Sequence, residues 1–452
     1  ALSLLASTFL ASPTEAKNLK VIFIPLDNRP VCYRYVKESV EPAGIKLILP
    51  PDKFIANNKS NGNPTELLKW FKEKSLHVDA AVISTDALIY GGLVGSRTHN
   101  FSEKVLQTRV DALAELARDP KLKLYAFSTI MRTPIASAGR VEPPYYAKVG
   151  PSIFAFSELN DKKTQGSVFS TIDQLKLQAL ERNLKKENLG DWLARRKKNH
   201  AVNQALTRLM RMNRFHYLGI GKDDNSPHSS THLESCLLAS ETLDLPKSRY
   251  AIIDGVDQLG LLLIARAYNE ARGVTPSIYT LYAPGVGDQT LPQYSDSKFY
   301  DSVPTQILAA GARLGNANAD LILALNTPVD GISKDSTASD NLPFTNPANR
   351  QFASQLNQLL NAQRRVSLAD VSYSNGADNG FMTYLTKNCD ISKLQAYNGW
   401  NTADNAIGYA IAQGIFAPSM KVEDKNRLIA QRLVDDWFYQ SNARSVASNE
   451  LS

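Results

Sequence analysis

From Leu19 onward, short apolar runs alternate with longer segments in which apolar residues recur every third or fourth position. Strand-length runs alternating with helical periodicity predict an α/β fold with a largely parallel sheet. The strand candidates are LKVIFIPLD, IKLILPP, DAAVISTDAL, LKLYAFSTIM, FHYLGIGKDD, RYAIIDGVD, PSIYTLYAP, DLILALNTP, RVSLADVSY and LQAYNGW. Helices are predicted for EKVLQTRVDALAELARD, NQALTRLMRMNR and RQFASQLNQLLNAQ. Between about 140 and 200 no comparable strand run occurs. There GRVEPPYY leads into a highly charged stretch, which predicts an inserted loop followed by helices.

The expected architecture is a TIM-like (β/α) barrel with inserted helices; the alternative is a pair of Rossmann-like α/β sheets facing a cleft. A barrel uses eight strands, so on that reading IKLILPP, and with it PSIYTLYAP, lies outside the barrel. No internal repeat at a fixed period is present.

The first segment, ALSLLASTFLASPTEA, is apolar, rich in small residues and too short to span a bilayer. It reads as the remnant of a secretory signal over 1–16, followed by one domain over 17–440 and a tail over 441–452. Export implies a periplasmic or secreted protein, and no later stretch is long and apolar enough for a membrane helix. The 43% hydrophobic and 21% charged residues of the 452-residue chain exclude disorder. A net charge of +7 raises the question of nucleic acid. Its only basic run, Arg195, Arg196, Lys197 and Lys198, falls among charges of both signs and reads as a solvated helix face. Cys32, Cys236 and Cys389 are widely spaced and read as buried free thiols.

Candidate chemistry sits just after the strands. Asp27 and Arg29 follow the first; Asp86, Tyr90 and Arg97 follow AVIS; Arg132 follows YAFSTIM. Asp223 and Asp224 end YLGIGK, Asp257 and Gln258 follow AIIDG, and Asn326 ends LILALN. Asn375 and Asp378 follow SLADVSY, and Trp400, Asn401 and Asn405 close the series. In a parallel sheet all strand C-termini share one side, so such residues converge although far apart in sequence.

The adjacent Asp223 and Asp224 suit glycoside hydrolysis assisted by a substrate N-acetyl group. One carboxylate orients the amide and the other protonates the leaving oxygen. His228 and His232, spaced i and i+4 in HSSTH, would face one way on a helix. That motif weakly resembles the second motif of polysaccharide deacetylases, in which two histidines and an aspartate hold a metal. The aromatic faces of Tyr90, Tyr397 and Trp400, with Asn, Asp and Arg groups around them, suit sugar C–H groups and hydroxyls. There is no GxGxxG opening a helix after the first strand, no phosphate-binding GxxxxGK[ST], no GxSxG and no HExxH.

Taken together, PLDNRP, TDALIYGGLVGSR, GKDD, DGVDQLGLLLIARA, LNTP, ADVSYSNGAD and AYNGWNTADNAIG resemble the bacterial family called domain of unknown function 4127. The resemblance covers nearly all of the chain after the leader and implies that these strand-end segments belong together. Likeness of the Asp pair to substrate-assisted β-N-acetylhexosaminidases is an analogy of site only.

The resulting expectation is an exported glycoside hydrolase for N-acetylated amino sugars, with Asp223 and Asp224 catalytic. Asp27, Arg29, Asp86, Tyr90, Arg97, Asn326, Asn375, Asp378, Trp400, Asn401 and Asn405 would bind a carbohydrate substrate. No cofactor and no metal ligand is assigned, and no nucleic-acid partner. The alternatives are a metal-dependent polysaccharide deacetylase or other metallohydrolase, and a glycan-binding protein without turnover.

Overall fold

The computed structural model describes residues 19–137 and 141–444, so the expected leader over 1–16 lies outside the described residues. The N-terminal half contributes β1 (Lys20–Ile24), β2 (Lys46–Ile48), β3 (Ala80–Ser84), β4 (Lys123–Ile130), β5 (Tyr217–Lys222) and β6 (Tyr250–Asp254). These form a six-stranded sheet in the order β2-β1-β3-β4-β5-β6. The C-terminal half contributes β7 (Ser277–Tyr282), β8 (Arg313–Leu314), β9 (Leu321–Asn326), β10 (Lys334–Asp335), β11 (Val366–Asp370), β12 (Tyr373–Ser374) and β13 (Ala396–Asn398). A five-stranded sheet runs β13-β11-β9-β7-β8, and β10 pairs with β12 in a short ribbon. Every strand pairing is parallel.

Each apolar run predicted as a strand contains one of these strands, but the sheet does not close into a barrel. From β1 the chain moves to β2 on one side and then to β3 on the other, reversing direction across the sheet. Such a reversal leaves two free edges, whereas a barrel needs each strand to add in one rotational sense. Numbered by their own first strand, both sheets carry the doubly wound order 2-1-3-4-5, the N-terminal one adding a sixth strand. IKLILPP becomes the edge strand β2, and PSIYTLYAP becomes β7, the strand at which the second sheet reverses.

The two sheets share their largest core. It joins Val21 and Phe23 of β1, the helix Leu259–Ala271 after β6, the helix Ala403–Phe416 after β13, and Leu321 and Leu323 of β9. All residues of Ala403–Phe416 are buried, because one side packs on the second sheet and the other on Leu259–Ala271. Close approach on both sides requires small residues. A Cβ at Gly408 would overlap the Gln258 side chain, and one at Gly414 the Ser367 hydroxyl. The helix after β13 is thereby seated between Gln258, at the start of the helix after β6, and Ser367 of β11.

The inserted region forms the helices Tyr146–Thr164, Thr171–Asn183 and Lys186–Arg211, around a separate core that includes Tyr146, Ile153, Phe156, Leu177 and Trp192. The basic run is not a solvated face. Arg195 is buried and reaches the His99 carbonyl and Asp191. Arg196, also buried, holds Glu234 and the carbonyls of Met131 and Arg132. Two of the four cations therefore clamp the insert to the first sheet, Arg195 to the segment after β3 and Arg196 to the β4 end. At the other terminus the wide helical turns Leu433–Ala443 run past the expected domain end at 440. Among the described residues no helix is long and apolar enough to cross a membrane.

Candidate functional site

Parallel sheets bind ligands outside their strand C-termini, at the point where strand order reverses. In the first sheet this is the gap between the loops after β1 and β3, where a cavity of about 1060 Å³ is walled by Asp27, Arg29, Leu93 and Arg97. In the second sheet the equivalent loops lie against each other, the Val286 N–H donating to the Val329 carbonyl at 3.1 Å. The open groove therefore belongs to the first sheet, and the second contributes a wall to it.

That wall is joined to the first sheet by one carboxylate. Asp257, just after β6, accepts Arg29 Nη2 at 2.6 Å and Nη1 at 3.1 Å. Asn401 Nδ2, just after β13, donates to the same Asp257 at 2.8 Å. Asn405 Oδ1 in turn accepts the Asp257 backbone N–H at 3.1 Å. Arg29 also holds Asp27 at 2.9 Å. Cys32 lies beneath, its Sγ 3.4 Å from Asp257, and burial pushes this thiol well above its ordinary pKa.

Two aspartates directly follow β5 and point apart, as successive residues leaving a strand do. Asp223 turns inward, where Arg97 Nε and Nη2 donate to its Oδ2 at 2.9 and 2.5 Å. Asp224 turns toward the groove and accepts Arg132 Nη1 at 2.7 Å. Their side chains are 4% and 31% exposed, so the second is the more open to a ligand, although both line the cavity between the loops. Burial pushes the Asp223 carboxyl upward, with the Asp224 charge adding to it, against the pull of Arg97 and Arg132. Arg132 is shared with Glu142, whose Oε1 accepts its Nε at 2.6 Å. Although burial acts the other way, Arg132 and Arg97 hold Glu142 below its ordinary pKa.

Asp223, Asp224, Asp257, Asn401 and Asn405 line one cavity of about 280 Å³. This cavity shares Arg29, Leu93 and Arg97 with the 1060 Å³ cavity on one side. Across the other it shares Arg132, Asp224, Tyr294 and Asn401 with one of about 710 Å³. The three make a continuous groove with the carboxylate pair near its middle. Among the described residues five non-glycine residues have positive φ, and Tyr294 (65°), Asn375 (59°) and Asn401 (70°) all line the outer cavity. Each such residue costs on the order of 1–3 kcal/mol, and this kind of strain concentrates where a surface is shaped for a ligand. The Asn375 N–H donates to the Asn401 carbonyl at 2.9 Å, which pins the two strained loops together.

These segments coincide with a known family. Its model, described as a protein of unknown function (DUF4127), matches residues 21–452. The chain belongs to this family. Neither the curated proteins nor the solved structures compared with the chain yield a match. The match spans both sheets and every loop that lines the groove.

Of the residues expected to bind substrate, Asp27, Arg29, Arg97, Asn375, Asn401 and Asn405 line the groove. Asp86 and Tyr90 do not. Both are buried beneath it: Asp86 accepts the Thr129 hydroxyl at 2.8 Å, and Tyr90 stacks on His99 at 4.9 Å. The reason is local, since Thr85–Ile89 already forms a helix and turns these side chains toward the core. Asn326 is fully buried on Asp370 at 2.8 Å, and Asp378 lines a separate cavity of about 270 Å³ at the second sheet. Trp400 is half-buried, packs against the central core and is not among the residues lining the three cavities.

Arg132 and Asp257 stand in the strand-end series but were not among the residues expected to bind substrate, and both line the groove; Glu142 and Tyr294, which carry no local signal, were not anticipated. His228 and His232 do not join the Asp223–Asp224 pair, which is committed to Arg97 and Arg132; their acidic neighbour is Asp161 of the insert.

Proposed function

We propose that the protein is an exported glycoside hydrolase acting on N-acetylated amino sugars, by a substrate-assisted route. One observation carries the proposal: the carboxylate pair following β5 and the asparagines following β13 line the same cavity, contributed by two different sheets. The charges support a neutral polar ligand. The guanidinium groups of Arg29, Arg97 and Arg132 are all ion-paired, to Asp27, Asp257, Asp223, Asp224 and Glu142, so none of these three is free to take a phosphate. What they offer is a rigid array of donors and acceptors suited to hydroxyls and an amide.

In this reading Asp224, the exposed member, donates its proton to the glycosidic oxygen as the bond from that oxygen to the sugar C1 breaks. The substrate acetamido oxygen bonds to C1 in the same step, and Asp223 accepts the hydrogen bond of the amide N–H. Water then attacks C1, returning its proton to Asp224 and restoring the acetamido group. Arg132 stays paired through Glu142 while Asp224 carries a proton.

The test is release of nitrophenol from aryl N-acetylhexosaminides. Turnover is expected in the natural protein, and its loss in Asp224→Asn and Asp223→Asn. Activity surviving both substitutions removes the pair from catalysis. Saturable binding of N-acetylated sugars with no release on any such substrate, unaltered by neutralising the pair, replaces the hydrolase with a glycan-binding protein.

A further inference from the structure

The loop carrying Asp223 and Asp224 continues through Asn225 and Pro227 to His228, and the helix Ser230–Glu241 then presents His232. Facing them from the insert is Asp161, in the last turn of Tyr146–Thr164. We infer that Asp161, His228 and His232 bind one divalent transition-metal ion of the zinc class. This assignment stands whether or not the glycosidase reading holds.

One ligand atom from each residue lies within 4.8 Å of the others. Asp161 Oδ2 is 2.7 Å from His232 Nδ1 and 3.5 Å from His228 Nδ1. Zinc at about 2.0–2.1 Å from tetrahedral donors sets neighbouring donors roughly 3.3 Å apart. The second contact already has that spacing, and the first needs to open by about half an ångström.

A simple ion pair between Asp161 and His232 accounts for only part of the arrangement. Asp161 is fully buried, yet its Oδ1 has no hydrogen-bond partner, and neither has the buried Nδ1 of His228. A buried carboxylate oxygen without a partner is costly, and native structures rarely keep one empty-handed. A cation between the three side chains gives the His228 nitrogen a partner, and a carboxylate bound through both oxygens gives Oδ1 one as well.

The histidine tautomer fits. His232 Nε2 lies 3.5 Å from Cys236 Sγ, so an Nε2–H donating there leaves the Nδ1 lone pair free for a metal. The imidazoles, 32% and 23% exposed, open on solvent, which leaves coordination positions for water. An ion here also has a mechanical consequence. The Ser229 N–H donates to Asp161 Oδ2 at 3.0 Å and Ser230 Oγ meets Ser157 Oγ at 2.8 Å, so the insert already grips this loop. Phe154 on the insert helix and Asn225 and Ser226 on the loop line the outer groove cavity. Metal occupancy would therefore set the width of that part of the groove.

The experiment uses the chelator-stripped, tag-free full chain. Titration with Co(II), followed by visible absorption, and with Zn(II), followed by calorimetry, is expected to give one saturable equivalent. Zinc is expected to raise the melting temperature. His228→Ala, at a half-exposed loop position, is expected to keep the native circular dichroism and to lose both the one-to-one binding and the zinc-dependent rise. Asp161→Asn is expected to do the same if it folds. Absence of saturable binding in the natural chain overturns the inference. So does unchanged stoichiometry and affinity in His228→Ala.

Discussion

Removing Arg97 tests the electrostatic account of the groove most directly. Arg97 and Asp223 are buried, with side chains 6% and 4% exposed, and their contact is as close as 2.5 Å. Breaking a buried pair from one side leaves a desolvated charge and costs about 3–5 kcal/mol. Arg97→Met should therefore lower stability by about that much at pH 8, a large share of the ~5–15 kcal/mol typical of folded domains. Glu142, 3.8 Å from Arg97, keeps Arg132 and adds little to the loss. The deficit should depend on pH. Asp223 already titrates above an ordinary aspartate in the folded chain, and without Arg97 it titrates higher still. A group whose folded pKa is raised contributes stability that is fully present below its unfolded value, about 3.9, and lost as pH rises through the folded value. The variant should thus come closest to the natural protein near pH 4–5 and fall furthest behind at pH 8. Urea unfolding followed by tryptophan fluorescence at both pH values measures this. Arg97→Met combined with Asp223→Asn should recover at least about 1 kcal/mol relative to the summed single losses. Strict additivity, or a deficit that is the same at both pH values, refutes the reasoning.

Three further outcomes are expected. Burial pushes the Asp86 carboxyl up to about 7, against the hydrogen bond from Thr129. Its stabilising contribution is complete below about pH 4 and gone above about pH 7, so Asp86→Asn should flatten the melting-temperature profile across that window. An unchanged profile rejects this account of Asp86. Trp192→Ala removes the largest side chain of the insert core and should cost about 3–5 kcal/mol. Limited proteolysis should then cut first between about 146 and 211, and cleavage in the sheets instead would show that the insert has no core of its own. Gly255 has φ +79°, and a Cβ there would come within 2.9 Å of Asn405 Oδ1. Gly255→Ala should cost about 1–3 kcal/mol in urea unfolding, and a neutral result would mean that the junction between the two sheets is soft.

Much of the architecture was legible in the chain because its signals are local. The apolar runs from LKVIFIPLD to LQAYNGW each hold a strand, and the charged stretch after GRVEPPYY is helical. A strand covered by helices on both faces needs apolar residues on both, and that need is written in the run itself. The same logic placed Arg29, Arg97, Asp224, Asn401 and Asn405 at strand ends, where a parallel sheet gathers them.

What the runs do not encode is their neighbour. Strands of a barrel and of an open doubly wound sheet are equally covered, so both architectures produce the same pattern, and only the pairing order distinguishes them. Tertiary structure alone decided that the chain reverses after β2 and again after β8, making two sheets. It alone turned Asp86 and Tyr90 inward, buried Arg195 and Arg196, and brought Asp161 to His228 and His232 across 67 and 71 residues of sequence. A residue's type declares the chemistry it can do. Its partner is chosen by packing between distant segments, and that choice leaves no mark in the residues on either side.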